Sequence, residues 1–145
     1  MDDTISIIEM SRKPVNSLNK EMIEALTAEL DTVERSGAKA AVLTSAVPNI
    51  FSAGLDITEM WNPEETRLRA FWSSLQEMWL RFYGSSLALS AAIEGASPAG
   101  GCLLALTCDY RVMVDDARFT IGLNETALGI VAHEDEELAA LDAAR

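Results

Sequence analysis

The sequence predicts an α/β fold with a mostly parallel sheet. Short β-branched and apolar runs alternate along the chain with longer stretches whose apolar residues recur at helical spacing. Glycine, proline and acidic pairs punctuate the joins. Strands alternating with helices make βαβ units with right-handed crossovers.

Residues 4–10 (TISIIEM) read as the first strand, ended by Arg12, Lys13 and Pro14. From Asn19 the period turns helical, with Met22, Ile23, Leu26, Leu30 and Val33 on one face and Gly37 as the stop. Residues 38–44 (AKAAVLT) fit a buried strand, followed by the loop VPNIFSAGLD. A second helix is expected over 64–83. Phe71, Leu75, Met78, Trp79 and Phe82 form its apolar side, and Arg67, Arg69 and Arg81 its solvated face. Residues 87–93 supply another buried strand. It leads into EGASPAGGCLLALTC, where Gly95, Pro98, Gly100 and Gly101 make a turn and residues 102–108 a short buried helix. Residues 110–114 (YRVMV) add a strand, and 118–121 a last short piece after the turn at Asp115 and Asp116. Trp61, Trp72 and Trp79 are expected in the core or at an interface, and Cys102 and Cys108 as small buried hydrophobes.

Composition narrows the function. The 145 residues fit one domain, and 49% hydrophobic with 23% charged residues describe a globular chain with a real core. A net charge of −12 argues against binding nucleic acid through surface charge, while backbone N–H groups can still bind a small anion locally. Two cysteines six positions apart give neither a disulfide framework nor a zinc spacing. His133 is the single histidine, so no metal site is expected and a Ser-His-Asp triad has little to draw on. The longest uncharged apolar run, 14 residues ending at Cys108, is too short to span a bilayer. Residues 133–145 (HEDEELAALDAAR) are different in kind: five acids and one base in a helix-prone stretch that is marginal by itself.

Three stretches are more specific than packing requires. In FSAGLDI, a small-small-Gly turn after a buried strand lets backbone approach a ligand with N–H groups free to donate; an ordinary strand-to-helix turn has the same composition. In PAGGC, a glycine pair opens an apolar helix whose first N–H groups suit a developing oxyanion, although tight helix–sheet packing also calls for glycine. In IGLNETALGI, Glu125 is a lone carboxylate in an apolar segment, where burial would raise its pKa toward that of a working acid/base. The plainer reading is a first-turn Glu beside an N-cap Asn124. Signatures for dinucleotides, phosphate loops, serine hydrolases and zinc proteases are absent.

Together, PVNSLN, FSAGLDITEM, PAGGCLLALTCDYRV and IGLNETALGI resemble the crotonase (enoyl-CoA hydratase/isomerase) superfamily, and within it most resemble the mitochondrial Δ3,Δ2-enoyl-CoA isomerases. The resemblance implies a crotonase-like (ClpP/crotonase) core of repeated ββα/βαβ units. It implies isomerisation of 3-cis- or 3-trans-enoyl-CoA to 2-trans-enoyl-CoA in fatty-acid β-oxidation, in the mitochondrial matrix. The substrate is an acyl-CoA thioester and no separate cofactor is needed, coenzyme A being part of the substrate. Carried over position by position, the oxyanion hole falls on the N–H groups of Leu55 and Gly100. Ala53, Gly54, Leu55, Asp56 and Ile57 line the thioester and the adenine end of coenzyme A, Asn124 contacts substrate, and Glu125 is the acid/base. Hydratases of the superfamily carry a second glutamate where this chain has Leu103, which favours moving a double bond over adding water. Arg12 and Lys13 are candidates for the coenzyme A phosphates.

Family members continue into helices that cover the acyl pocket and build a homotrimer. The chain is therefore expected to be a C-terminally truncated core, residues 1–132, with a divergent acidic helical tail, residues 133–145. It is also expected to leave an apolar patch uncovered, because a parallel sheet is normally covered on both faces. Alternatives from this reading are an enoyl-CoA hydratase and a non-catalytic crotonase remnant that binds acyl-CoA or joins full-length subunits.

Overall fold

The structure, a computed structural model, describes residues 5–124. The sequence expectations for Glu125 and for residues 133–145 lie outside the described residues.

Strand β1 (Ile5–Met10) leads through the segment 11–19 into helix α1 (Lys20–Arg35). Asn19 starts that helix because its side-chain oxygen accepts the Met22 N–H at 3.0 Å. Strand β2 (Ala40–Ser45) follows, then a long loop containing a single 3-10 turn (Ile57–Glu59). Helix α2 (Glu65–Tyr83) begins at Glu64, whose carboxylate accepts from Thr66 and Arg67 N–H, both at 2.9 Å. Next come β3 (Ala88–Ile93), the two-residue β4 (Ser97–Pro98), α3 (Gly100–Leu106), β5 (Tyr110–Met113) and the two-residue β6 (Ile121–Gly122).

The main sheet has the order β1-β2-β3-β5, and every pairing is parallel, as the alternation of strands and helices predicts. Its register places Ile8, Leu43 and Ala91 side by side on one face, where all three are buried. The buried residues of α1 (Ile23, Leu26, Leu30, Val33) and of α2 (Phe71, Met78, Phe82) join the same core. Each large side chain among them contributes roughly 1.5–3 kcal/mol by leaving water. The opposite face carries Ile7, Val42, Ser90 and Tyr110 in register, with Ile7 65% and Tyr110 64% exposed. Among the described residues, this face has no covering helix.

Two expectations are narrowed. Of the core and interface alternatives for the tryptophans, the core is excluded: Trp61 is 83% exposed, and Trp72 and Trp79 are 39% and 38% exposed. Trp61 lies in the loop before α2, and Trp79 of α2 stacks on Tyr83 at 5.1 Å. Arg67 and Arg81 are not a merely solvated face. Arg67 binds Glu21 of α1 and Glu59 of the 3-10 turn, and Arg81 binds Asp31 and Glu34 of α1, so both tie the two helices together. Only Arg69 matches the expectation, exposed in an i,i+4 pair with Glu65. Cys102 and Cys108 are buried as expected, and burial pushes the Cys108 thiol up to about 11.

Candidate active site

Two backbone turns meet at the carboxyl side of the sheet. The first, residues 51–56, follows β2 and is braced from below by residues 15–18. Ala53 N–H donates to Val15 C=O at 2.9 Å and Leu18 N–H to Gly54 C=O at 2.8 Å. Asp56 N–H returns to Leu18 C=O at 3.1 Å. Since the residues on either side of Leu55 both bond to Leu18, Leu55 turns its own N–H to the opposite side, as alternate residues of a ladder do.

Asn16 holds this brace from inside and was missed by the sequence reading. It is fully buried, and its side-chain N–H2 donates to Ser45 Oγ at 2.8 Å and to Phe51 C=O at 3.0 Å. Ser52 Oγ in turn donates to Asn16 C=O at 2.7 Å and accepts the Gly54 N–H at 3.2 Å. A signal existed in PVNSLN: Asn16 sits at φ 49, a left-handed position that Asn tolerates better than most residues. Nothing in the sequence says which distant loop it grips.

The second turn, residues 97–100, leads from β4 into α3. Ser97 N–H donates to Thr120 C=O and Ala99 N–H to Gly122 C=O, both at 2.8 Å. Ala99 is held at φ 50, ψ −122, a conformation that costs a residue with a side chain on the order of 1–3 kcal/mol. At seven residues α3 is short, so the individual N–H groups at its start matter more than any summed helix dipole.

These turns approach as closely as backbone allows. Gly54 stands at φ 89, and a Cβ added there would lie 2.9 Å from Gly100 N. A Cβ on Gly101 would lie 2.5 Å from Ser52 C=O. A Cβ on Gly100 would lie 3.1 Å from Leu55 N, which sets the two amides side by side. Neither the Leu55 nor the Gly100 N–H donates to an acceptor among the described residues. Leu55 and Gly100 both line an apolar groove of about 1160 Å³, together with Trp72, Leu75 and Trp79 of α2 and Leu103 of α3. Leu103 is 38% exposed on this groove. Two unpaired N–H donors at one end of an apolar groove are suited to an oxygen that gains negative charge next to an apolar chain.

Across the 54–57 turn the surroundings are polar. Asp56 accepts from Arg12 Nη2 at 2.9 Å and from Thr58 Oγ1 at 2.7 Å. Burial works to raise its pKa, but the Thr58 and Arg12 hydrogen bonds outweigh it and hold the carboxyl below its ordinary range. Arg12 also donates to the Ser17 C=O at 2.9 Å and to Ser17 Oγ, with its side chain 35% exposed. Lys13 is exposed. The buried Glu59 accepts from Arg67 Nη2 at 2.7 Å and from Lys20 N–H at 3.0 Å. The Arg67 bonds outweigh burial and lower its pKa.

Of the predicted site residues, Ala53, Gly54, Leu55, Asp56 and Ile57 are thus brought together with Gly100; Ile57 is 70% exposed at the rim. Asn124 is exposed at the end of the described region, two residues after the Gly122 that pairs with Ala99. Glu125 lies outside the described residues.

A family model described as enoyl-CoA hydratase/isomerase matches residues 1–136. The chain belongs to the enoyl-CoA hydratase/isomerase family. Within the family it is 49% identical over 129 residues to the mitochondrial enoyl-CoA delta isomerase 1 of Rattus norvegicus, covering 88% of this chain and 45% of that protein. The human counterpart is 47% identical, with 43% of it covered. A probable mitochondrial enoyl-CoA hydratase 2 of Arabidopsis thaliana is 35% identical over 129 residues, covering 86% of this chain and 42% of that protein. The fold superposes on the crystal structure of human mitochondrial delta3-delta2-enoyl-CoA isomerase with a TM-score of 0.82 and 48% identity, covering 88% of this chain and 50% of that one. The chain thus spans about half the length of the relatives it matches, and its expected fold and family likeness are both borne out.

Proposed function

We propose that the chain carries the thioester-activating half of a Δ3,Δ2-enoyl-CoA isomerase acting on 3-cis- and 3-trans-enoyl-CoA in mitochondrial fatty-acid β-oxidation. The observation that carries this reading is the pair of N–H groups, Leu55 and Gly100, side by side on an apolar groove and unpaired among the described residues. A 3-enoyl thioester has an acidified C2 proton. Removing it moves the electron pair through C2 onto the thioester oxygen and gives a dienolate. Two donors on that oxygen stabilise the anion by about 3 kcal/mol each when well placed. Glu125 takes the C2 proton as a carboxylate and, as the acid, returns it to C4. The C3–C4 double bond is then replaced by a conjugated C2–C3 double bond, with no net change of atoms.

The apolar groove takes the acyl chain and excludes water from the dienolate. Gly54 and its neighbours Ala53, Asp56 and Ile57 form the turn over which the thioester and coenzyme A lie, and Asn124 contacts the substrate. Leu103 places an apolar side chain on the groove where hydratases of the superfamily carry their second glutamate, which supports isomerisation over hydration because adding water needs a second acid/base group. The ladder from Ala99 to Gly122 supports the Glu125 assignment, since it ties the donor turn to the backbone three residues before that carboxylate. Assembly as a homotrimer is part of the same reading.

The test uses Glu125→Gln in the protein that carries this chain. Isomerisation of 3-trans-hexenoyl-CoA, followed by the absorbance of the conjugated product, should fall by about three orders of magnitude or more. Binding of saturated hexanoyl-CoA should persist. A rate within about tenfold of the parent removes Glu125 from the mechanism.

A further inference from the structure

We infer that Ala99 is a positioning residue whose methyl group fixes the direction of the Gly100 N–H; this rests on the thioester reading above. The ψ angle of Ala99 sets the plane of the peptide that joins it to Gly100. That planar, trans unit carries the Ala99 C=O on one edge and the Gly100 N–H on the other, pointing in opposite directions. Whatever holds Ala99 therefore aims the donor.

Three neighbours hold it. The Ala99 N–H donates to Gly122 C=O at 2.8 Å, which fixes the peptide before it. Its C=O accepts the Leu103 N–H at 3.0 Å, the first bond of α3, which favours one side for the peptide after it without fixing its tilt. Its methyl faces Gly54, where an added Cβ would come within 3.1 Å. The opposing turn is thus bare at the point where the methyl sits. With its C=O drawn into the helix, the Gly100 N–H points the other way, out beside Leu55.

The choice of residue is the informative part. Alanine at φ 50, ψ −122 is strained, and glycine would adopt the same angles freely. The chain uses glycine at positions 100 and 101, where a Cβ would meet Leu55 N at 3.1 Å and Ser52 C=O at 2.5 Å. One position earlier it keeps a methyl group where glycine is the easier residue. A glycine at 99 opens many neighbouring backbone angles and lets the peptide plane rock. The methyl excludes most of those angles, and it stands on the side of Gly54, 3.1 Å from where a Cβ there would lie. Preorganised donors stabilise developing charge only when their direction is set before the charge appears.

The test compares the parent, Ala99→Gly and Ala99→Ser using hexanoyl-CoA labelled with 13C at the thioester carbonyl, a saturated probe that is not turned over. In the parent, the infrared carbonyl band should move to lower frequency on binding. Ala99→Gly should melt at the same or a higher temperature and bind the probe with unchanged Kd. It should nevertheless lose most of the carbonyl shift and show a broader band. Ala99→Ser, which keeps a β-carbon, should retain the shift. An Ala99→Gly band at the parent's position and width overturns the inference. So does an Ala99→Ser band like that of Ala99→Gly, or loss of cooperative melting in Ala99→Gly, which would make the methyl a prop of the fold. A parent protein that binds the probe without any shift overturns the thioester reading itself, and the inference falls with it.

Discussion

The two sides of the turn at 54–57 are built on opposite principles. On the side of Arg12 and Glu59, every buried carboxylate is matched: Asp56 by Arg12 and Thr58, Glu59 by Arg67 and the Lys20 N–H. On the side of the groove, two N–H donors are left unmatched among the described residues, in a lining that is mainly apolar. Unpaired donors at a partly buried position are unfavourable, so the matched side must hold the turn in place while the unmatched side waits for a ligand. One face of the loop keeps shape, and the other is available for chemistry.

Three changes would break or sharpen that contrast. The largest effect is expected from Gly54→Ala, which forces a side chain at φ 89 and places its Cβ 2.9 Å from Gly100 N. Isomerisation should fall by about 100-fold or more, as when an oxyanion donor is lost. Activity within a few-fold of the parent, with melting unchanged, would mean that the two turns do not act as one site. Next is Leu103→Glu, which puts a carboxylate on the apolar side. If Leu103 is what withholds hydration, a folded variant should add water to 2-trans-hexenoyl-CoA at a measurable rate, read as loss of absorbance. A folded variant with no hydration would show that another feature decides the outcome.

The smallest effect concerns the matched side. Glu59 is lowered from an ordinary value of 4.5 in the folded chain. A depressed folded pKa contributes stability that is fully present above the unfolded value and is lost as pH falls through the folded one. The parent's melting temperature should therefore drop as pH falls below about 4.5. Glu59→Gln should start lower at neutral pH and show a shallower drop. Parallel curves for the two proteins would remove Glu59 from the acid response.

Much of this contrast could be read in the sequence, though unevenly. The glycines of FSAGLD and PAGG were legible because close backbone approach leaves a compositional mark, and Gly54, Gly100 and Gly101 lie where that mark predicts. Helix α2 was expected over 64–83 and spans Glu65–Tyr83, since a long apolar period is a strong signal. The pairing of Ser97–Pro98 with Ile121–Gly122 was not legible, because two-residue strands have no period to detect. The core alternative fails for Trp72 and Trp79 because an apolar stripe shows that a face is sheltered and does not say by what. The α1 partners of Arg67 and Arg81 lie 46 to 50 residues away, beyond the reach of any local pattern. The grip of Asn16 on Ser45 and Phe51 escaped for the same reason.

The all-parallel sheet has a consequence in time. Ile5 pairs with Ala40, Ala40 with Ala88, and Ser90 with Tyr110, so no two neighbouring strands are joined by a hairpin. Each new pairing waits until the intervening crossover has been placed, and the entropy of closing those loops is lost before any contact repays it. Assembly of the donor pair comes late in that order, because its two turns follow β2 and β3 and meet only after those strands are in register. A newly made chain therefore has its helices before it has its site, and refolding followed by thioester binding should lag behind refolding followed by helix content.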